Sequence, residues 1–187
     1  FGAIRGIHLS KQYGLVHLAA LYGHAFWAAE IKSNDDVQIR RTEQHSSNTT
    51  IQRKNALTER LATLHISAGT PQNHLGATIQ TAHFSPTKPQ EIASRHISID
   101  GRGQWHQTVL FGEIAFGPKT QAFVTGLNWQ KKTFKFHLLT RKYSPYFSAL
   151  HGAPIATYGT PPQNEQGIFF GFAYRPSPRT RIELSLD

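Results

Sequence analysis

The chain has 187 residues, 39 % of them apolar and only 17 % charged, below the roughly 25 % charged residues usual in a soluble domain. Mean hydropathy is negative, and no apolar run reaches the about 18 residues of a membrane-crossing helix, which excludes a helical membrane protein. With 20 Lys and Arg against 11 Asp and Glu the net charge is +9, and the absence of Cys excludes disulfides and thiolate metal sites.

Along the chain, period-two alternation dominates, the mark of strands whose successive side chains point to opposite faces. A weak strand near Ile4 leads through a tight turn at residues 10–14 into a segment where Val16, Leu18, Ala20 and Tyr22 share a face. Residues 32–56 are polar and rich in Ser, Thr, Asn and Gln, and read as a long surface loop made basic by Arg40, Arg41, Arg53 and Lys54. Ala62, Leu64 and Ile66 then oppose Thr63, His65 and Ser67, and after a turn at 69–73, Leu75, Ala77 and Ile79 oppose Gly76, Thr78 and Gln80. A weak strand near Ile97 follows a connection at 85–91 and ends at a turn predicted for 100–104, where Asp100, Gly101 and Gly103 cluster. Leu110, Gly112, Ile114 and Phe116 alternate next, and beyond 117–121 come Phe123, Thr125, Leu127 and Trp129. A turn at 130–133 precedes Phe134, Phe136 and Leu138, whose opposite face carries Lys135, His137 and, further on, Arg141. A second long loop spans 143–163 and is closed by Asn164-Glu-Gln-Gly167. Ile168, Phe170, Phe172 and Tyr174 share the next face. After a turn at 176–180, Ile182, Leu184 and Leu186 oppose Arg181, Glu183, Ser185 and Asp187.

In a meander, every second connection lies at the same end of the sheet. The tight connections therefore fall at one end and the others, two of them long, at the opposite end. That is the form of outer-membrane barrels. Segments such as 15–25 and 134–144 reach the about nine to eleven residues that a tilted crossing needs. Aromatic residues collect near segment ends (Tyr22, Phe26, Trp27, Phe84, Trp105, Phe116, Trp129, Tyr143, Tyr146, Phe147 and Tyr174), as at a membrane–water interface. The expected fold is all-β, an antiparallel up-and-down transmembrane β-barrel of about ten strands in a single domain over 1–187. Both ends break off within strand-like sequence, so the expectation is a processed or partial chain with an incomplete strand count. Alternation by itself does not say which face looks inward, and a soluble secreted β-barrel binding module shares the period.

Little in the sequence points to chemistry. The histidines His17, His24, His65, His74, His83, His96, His106, His137 and His151 are spread over different segments, with no ligand spacing beside an acid. They read as polar lining, and neither a metal nor a cofactor is expected. His137, Ser148, Glu113 and Glu183 are residue types a hydrolase uses, but no spacing singles them out and no Gly-Xaa-Ser-Xaa-Gly elbow exists. No catalytic residue is assigned, and an enzyme is not expected. The polar faces are more informative. A cation on a lipid-facing surface would cost about 2–4 kcal/mol at midplane, so Lys135, His137, Arg141, Glu113, Arg181, Glu183 and Asp187 are expected to line a lumen. Interleaved signs favour an ion-pair network that stiffens a narrow barrel over a field that sorts solutes in a wide one.

Several runs look familiar: Arg141-Lys-Tyr-Ser-Pro145, His151-Gly-Ala, Asn164-Glu-Gln-Gly-Ile-Phe-Phe-Gly171 and Arg179-Thr-Arg-Ile-Glu-Leu. Arg53-Lys-Asn-Ala-Leu-Thr-Glu-Arg60, Phe111-Gly-Glu-Ile-Ala115 and the Arg-Thr-Glu run from Arg41 to Glu43 belong with them. These runs resemble the barrel region of bacterial outer-membrane proteins that carry an N-terminal helix-hairpin-helix domain. The likeness extends from about Arg41 onward and does not include the helix-hairpin-helix segment. It implies an outer-membrane location and membrane lipid as partner, with a role as anchor or passage beside other envelope proteins. Surface nucleic-acid binding or uptake, through Arg40, Arg41, Arg53 and Lys54, is the alternative. It is motivated by the positive charge and weakened by its scatter.

Overall fold

β-branched and aromatic residues at alternating positions suit a pleated surface, and the chain uses them to build one sheet. The computed structural model describes residues 4–31, 37–39, 48–86, 95–145, 147 and 164–187. The strands are β1 (Arg5–Tyr13), β2 (Val16–Trp27), β3 (Ala29–Ile31), β4 (Val37–Ile39), β5 (Leu57–Gly69), β6 (His74–Ser85), β7 (Arg95–Trp105), β8 (Thr108–Gly117), β9 (Thr120–Lys131), β10 (Phe134–Tyr143), β11 (Glu165–Ser177) and β12 (Thr180–Leu186). One short helix, α1 (Asn48–Arg53), stands before β5.

Ten strands form a single antiparallel up-and-down sheet in the order β1-β2-β5-β6-β7-β8-β9-β10-β11-β12, and β3 pairs with β4 apart from it. The sheet is not closed: β1 and β12 are its two edges. Neighbours in sequence are neighbours in space, so the alternating ends expected for the connections are realised.

The strands expected near Ile4 and Ile97 are present as β1 and β7. Two details depart from expectation. The turn expected at 100–104 lies inside β7, where Asp100 stands between Gly76 of β6 and Glu113 of β8. Pairing on both sides outweighs the local turn preference of Asp and Gly, and Asn73 Oδ1 accepts the Gln104 amide at 2.7 Å. The chain reverses two residues later instead, with His106 in the left-handed region at φ 52. The second departure concerns 32–56, expected to be surface loop. Its described parts include α1 and β4, which pairs with β3 just ahead of the stretch, and Val37 is buried with Trp27, Ala29, Leu57 and Phe84. Apolar contact holds this piece against one face of the sheet, which we call the inner face.

The outer face carries the apolar rows. Leu9, Ala20, Leu64, Ile79, Ile97 and Phe116 stand in one cross-strand row, and Leu110, Leu127, Leu138, Phe170 and Leu186 in another. These side chains are open to the surroundings: Leu64 is 52 % exposed, Leu110 55 % and Leu186 73 %. The expected ring of interfacial aromatics divides by parity. Tyr22, Phe26, Trp105, Phe116, Trp129 and Tyr174 face outward, whereas Trp27, Phe84 and Tyr143 alternate with them and are buried on the inner face, as is Phe147 in the segment after β10. Tyr146 lies outside the described residues.

Candidate functional site

The inner face gathers the polar and ionic groups. Lys135, His137, Arg141 and Tyr143 alternate along β10 and share this face with Glu113 on β8 and Glu183 on β12. Arg141 is the centre of the densest cluster. Its Nε donates to Glu165 Oε1 at 2.7 Å, while Nη1 and Nη2 donate to Asp187 Oδ1 and Oδ2 at 2.8 and 3.0 Å. The fork of the guanidinium thus grips one carboxylate with two parallel bonds and a second with one, the strongest arrangement available to Arg. The Arg141 side chain is only 3 % exposed and that of Glu165 8 %, whereas the Asp187 side chain is 37 % exposed.

The backbone makes room for this group. Gly167 stands opposite Arg141, and a Cβ there would sit 2.9 Å from the guanidinium carbon. Next to it, Gly126 faces Phe111, whose ring would lie 2.4 Å from an added Cβ. A small residue opposite each large one lets crowded side chains lie down along the face. The hollow that remains has a volume of about 290 Å³ and is lined by Phe111, Asn128, His137, Leu139, Arg141, Phe169 and Asp187, among others. His137 Nδ1 lies 2.8 Å from Asn128 Oδ1.

Further along the sheet, His65 Nδ1 meets Thr78 Oγ1 at 2.9 Å, and His74 Nε2 approaches Asp100 Oδ2 at 3.7 Å. Asp100 and Glu113 are directly opposite, a like-charge pairing that is unfavourable alone and that His74 offsets when protonated. At the long-connection end, Trp27 Nε1 donates to the buried Glu59 Oε2 at 2.9 Å. Beside β8–β10, Ala122, Tyr143 and Phe147 form a second apolar cluster, and the Phe147 ring stands 6.0 Å from that of His96 on β7.

The residues expected to line a lumen therefore lie on one face. Arg141 and Asp187 meet directly, Arg181 pairs with Glu183, and Lys135 and Glu113 join no ion pair among the described residues. Of the expected loop cations, Arg53 is bonded to Glu30 at 2.9 Å and Lys54 is exposed; Arg40 and Arg41 lie outside the described residues. So does Ser148, and His137 faces an amide rather than an acid. Among the described residues no His, Cys, Asp and Glu come together in a group of three or more able to hold a metal. Sequence reading missed Glu165, Glu59 and Asp100. Glu165 sits in the loop-closing run at 164–167, and its signal is its position two residues before Gly167, the residue that faces Arg141.

These features define an all-β protein with an exposed apolar outer face and an ionic inner face. No protein-family model, curated protein or solved structure matches the chain.

Proposed function

We propose that the chain forms the wall of a bacterial outer-membrane β-barrel that serves as an anchor, or a passage, within an envelope assembly. One observation carries this reading: the sheet turns its apolar rows outward and its ion pairs inward. A water-soluble barrel needs the reverse, because apolar surface left in water forfeits about 25 cal/mol for every Å². No Asp or Glu of the ten-stranded sheet faces outward; Asp100, Glu113, Glu59, Glu165 and Glu183 share the inner parity. Strands of 10 to 13 residues from β5 to β11 are long enough for a tilted crossing. The likeness to barrel regions of helix-hairpin-helix proteins points the same way.

The filled inner face favours an anchor over an open passage. Trp27, Val37 and Leu57 pack over one part of it, Phe147 over another, and Arg141 is satisfied by two carboxylates rather than offered to a passing anion. In a membrane the edges β1 and β12 must find partners, since lipid satisfies no backbone N–H or C=O.

Gel migration of detergent-extracted protein, unheated against boiled, tests the reading, with circular dichroism alongside. A compact β-rich species that slows on boiling is expected. A chain soluble without detergent and indifferent to boiling would instead make it a secreted binding module. Planar-bilayer recordings then separate the two roles: an anchor gives no steady conductance, a passage gives stable steps.

A further inference from the structure

The outer face holds one feature that a lipid-facing wall does not need. Arg5 stands opposite His24, His24 opposite Arg60, and Arg60 opposite His83, so four exposed basic residues form one continuous row across β1, β2, β5 and β6. Arg95 lies diagonally beyond, opposite Thr81. Arg5 and Arg60 stand on the same row with only His24 between them, and among the described residues of the sheet no carboxylate shares this face to offset their charge. With strands about 4.8 Å apart, the row spans roughly 15 Å. Directly below it lies an apolar groove of about 460 Å³, lined by Ile7, Leu9, Ala20, Tyr22, Leu64 and Ile79. Ile7 is two residues from Arg5 and Tyr22 two from His24, so row and groove adjoin along the same strands.

We infer that this row and groove form a binding site for a membrane lipid with a phosphomonoester headgroup. A phosphomonoester brings up to two negative charges and several acceptor oxygens. The Arg5 and Arg60 forks match it in shape, and His24 and His83 each keep at least one N–H to donate in either protonation state. The acyl chain then continues into the groove without leaving the surface. A nucleic acid would satisfy the row but gain nothing from the apolar groove, which is why a lipid is the better occupant. The row stands at the end of the sheet that carries the long connections, so the lipid would belong to the leaflet on that side. The inference rests on the membrane-barrel reading.

The test uses the full chain in detergent micelles, with fluorescent phosphatidic acid as probe and phosphatidylcholine as control. Phosphatidic acid should bind more than about tenfold more tightly, the scale of lost charge-assisted hydrogen bonds. The double variant Arg5→Gln, Arg60→Gln should reduce it to the control level while keeping the heat-dependent gel shift. Equal binding of the two lipids, or an unaffected double variant, overturns the proposal. So does displacement of the lipid by millimolar inorganic phosphate, which would mark a free-anion site, or by a short DNA duplex, which would assign the row to nucleic acid. A wild-type chain with no gel shift removes the barrel reading and this site with it. A chain that shifts but shows no lipid preference removes this site alone.

Discussion

Arg141 shows how much one side chain depends on its neighbours. It is legible in the sequence as a cation on the polar side of β10, but its partners lie 24 and 46 residues away. Removing it strands the buried Glu165 carboxylate. Arg141→Ala should therefore cost about 3–5 kcal/mol, the usual loss when one member of a buried pair is deleted, measured by urea unfolding in micelles. Asp187→Asn should cost clearly less, because its side chain is 37 % exposed and partly screened. Equal losses would mean that Asp187 is more buried than its exposure indicates. The glycine opposite Phe111 offers a second check. Gly126→Ala places a Cβ against that ring and should destabilise by about 1–3 kcal/mol through overpacking, with Phe111→Leu in the same chain restoring most of it.

At the scale of the strand, parity decides what a substitution does. Ile99 and Ser98 are adjacent on β7, yet Ile99 faces outward at 48 % exposure and Ser98 inward at 9 %. If the outer face meets lipid, Ile99→Arg should cost about 2–4 kcal/mol near midplane. In water the same change at a half-exposed position should stay within about 0.5 kcal/mol. Equilibrium unfolding of this one variant in bilayers thus tests the direction of the whole face. Strand existence and face membership were legible for most of the chain, because pleating forces a period of two on any half-apolar strand. Turn placement was legible where the turn is short and local, as at 132–133 and 178–179. It failed at 100–104, because ladders to β6 and β8 overrode the composition of that run.

For the molecule as a whole, the open questions of the sheet are its edges and its filling. β1 is exposed along its entire length, and so is β12. In a bilayer these edges should be paired, so their amides should exchange slowly with deuterium there and quickly in any state that leaves the edges free. Slow exchange confined to β2–β11 in a bilayer would mean that the sheet stays open. Filling was not legible. The polar composition of 32–56 suggests a loop in solvent, whereas Val37 of β4, the strand paired with β3, is buried on the inner face beside Ala29 and Trp27. One buried valine in a polar stretch carries too little pattern to announce that contact.

Sequence alone determined the strand type, the sets of residues that share a face and the end of the sheet at which each connection falls, because all three follow from the geometry of a pleated backbone and local turns. Tertiary structure decided which of those faces is left exposed, which acids meet Arg141, and that four basic residues from four strands stand in one row. Those outcomes depend on cross-strand register, and register is set by the pairing of distant segments rather than by any one segment's own pattern.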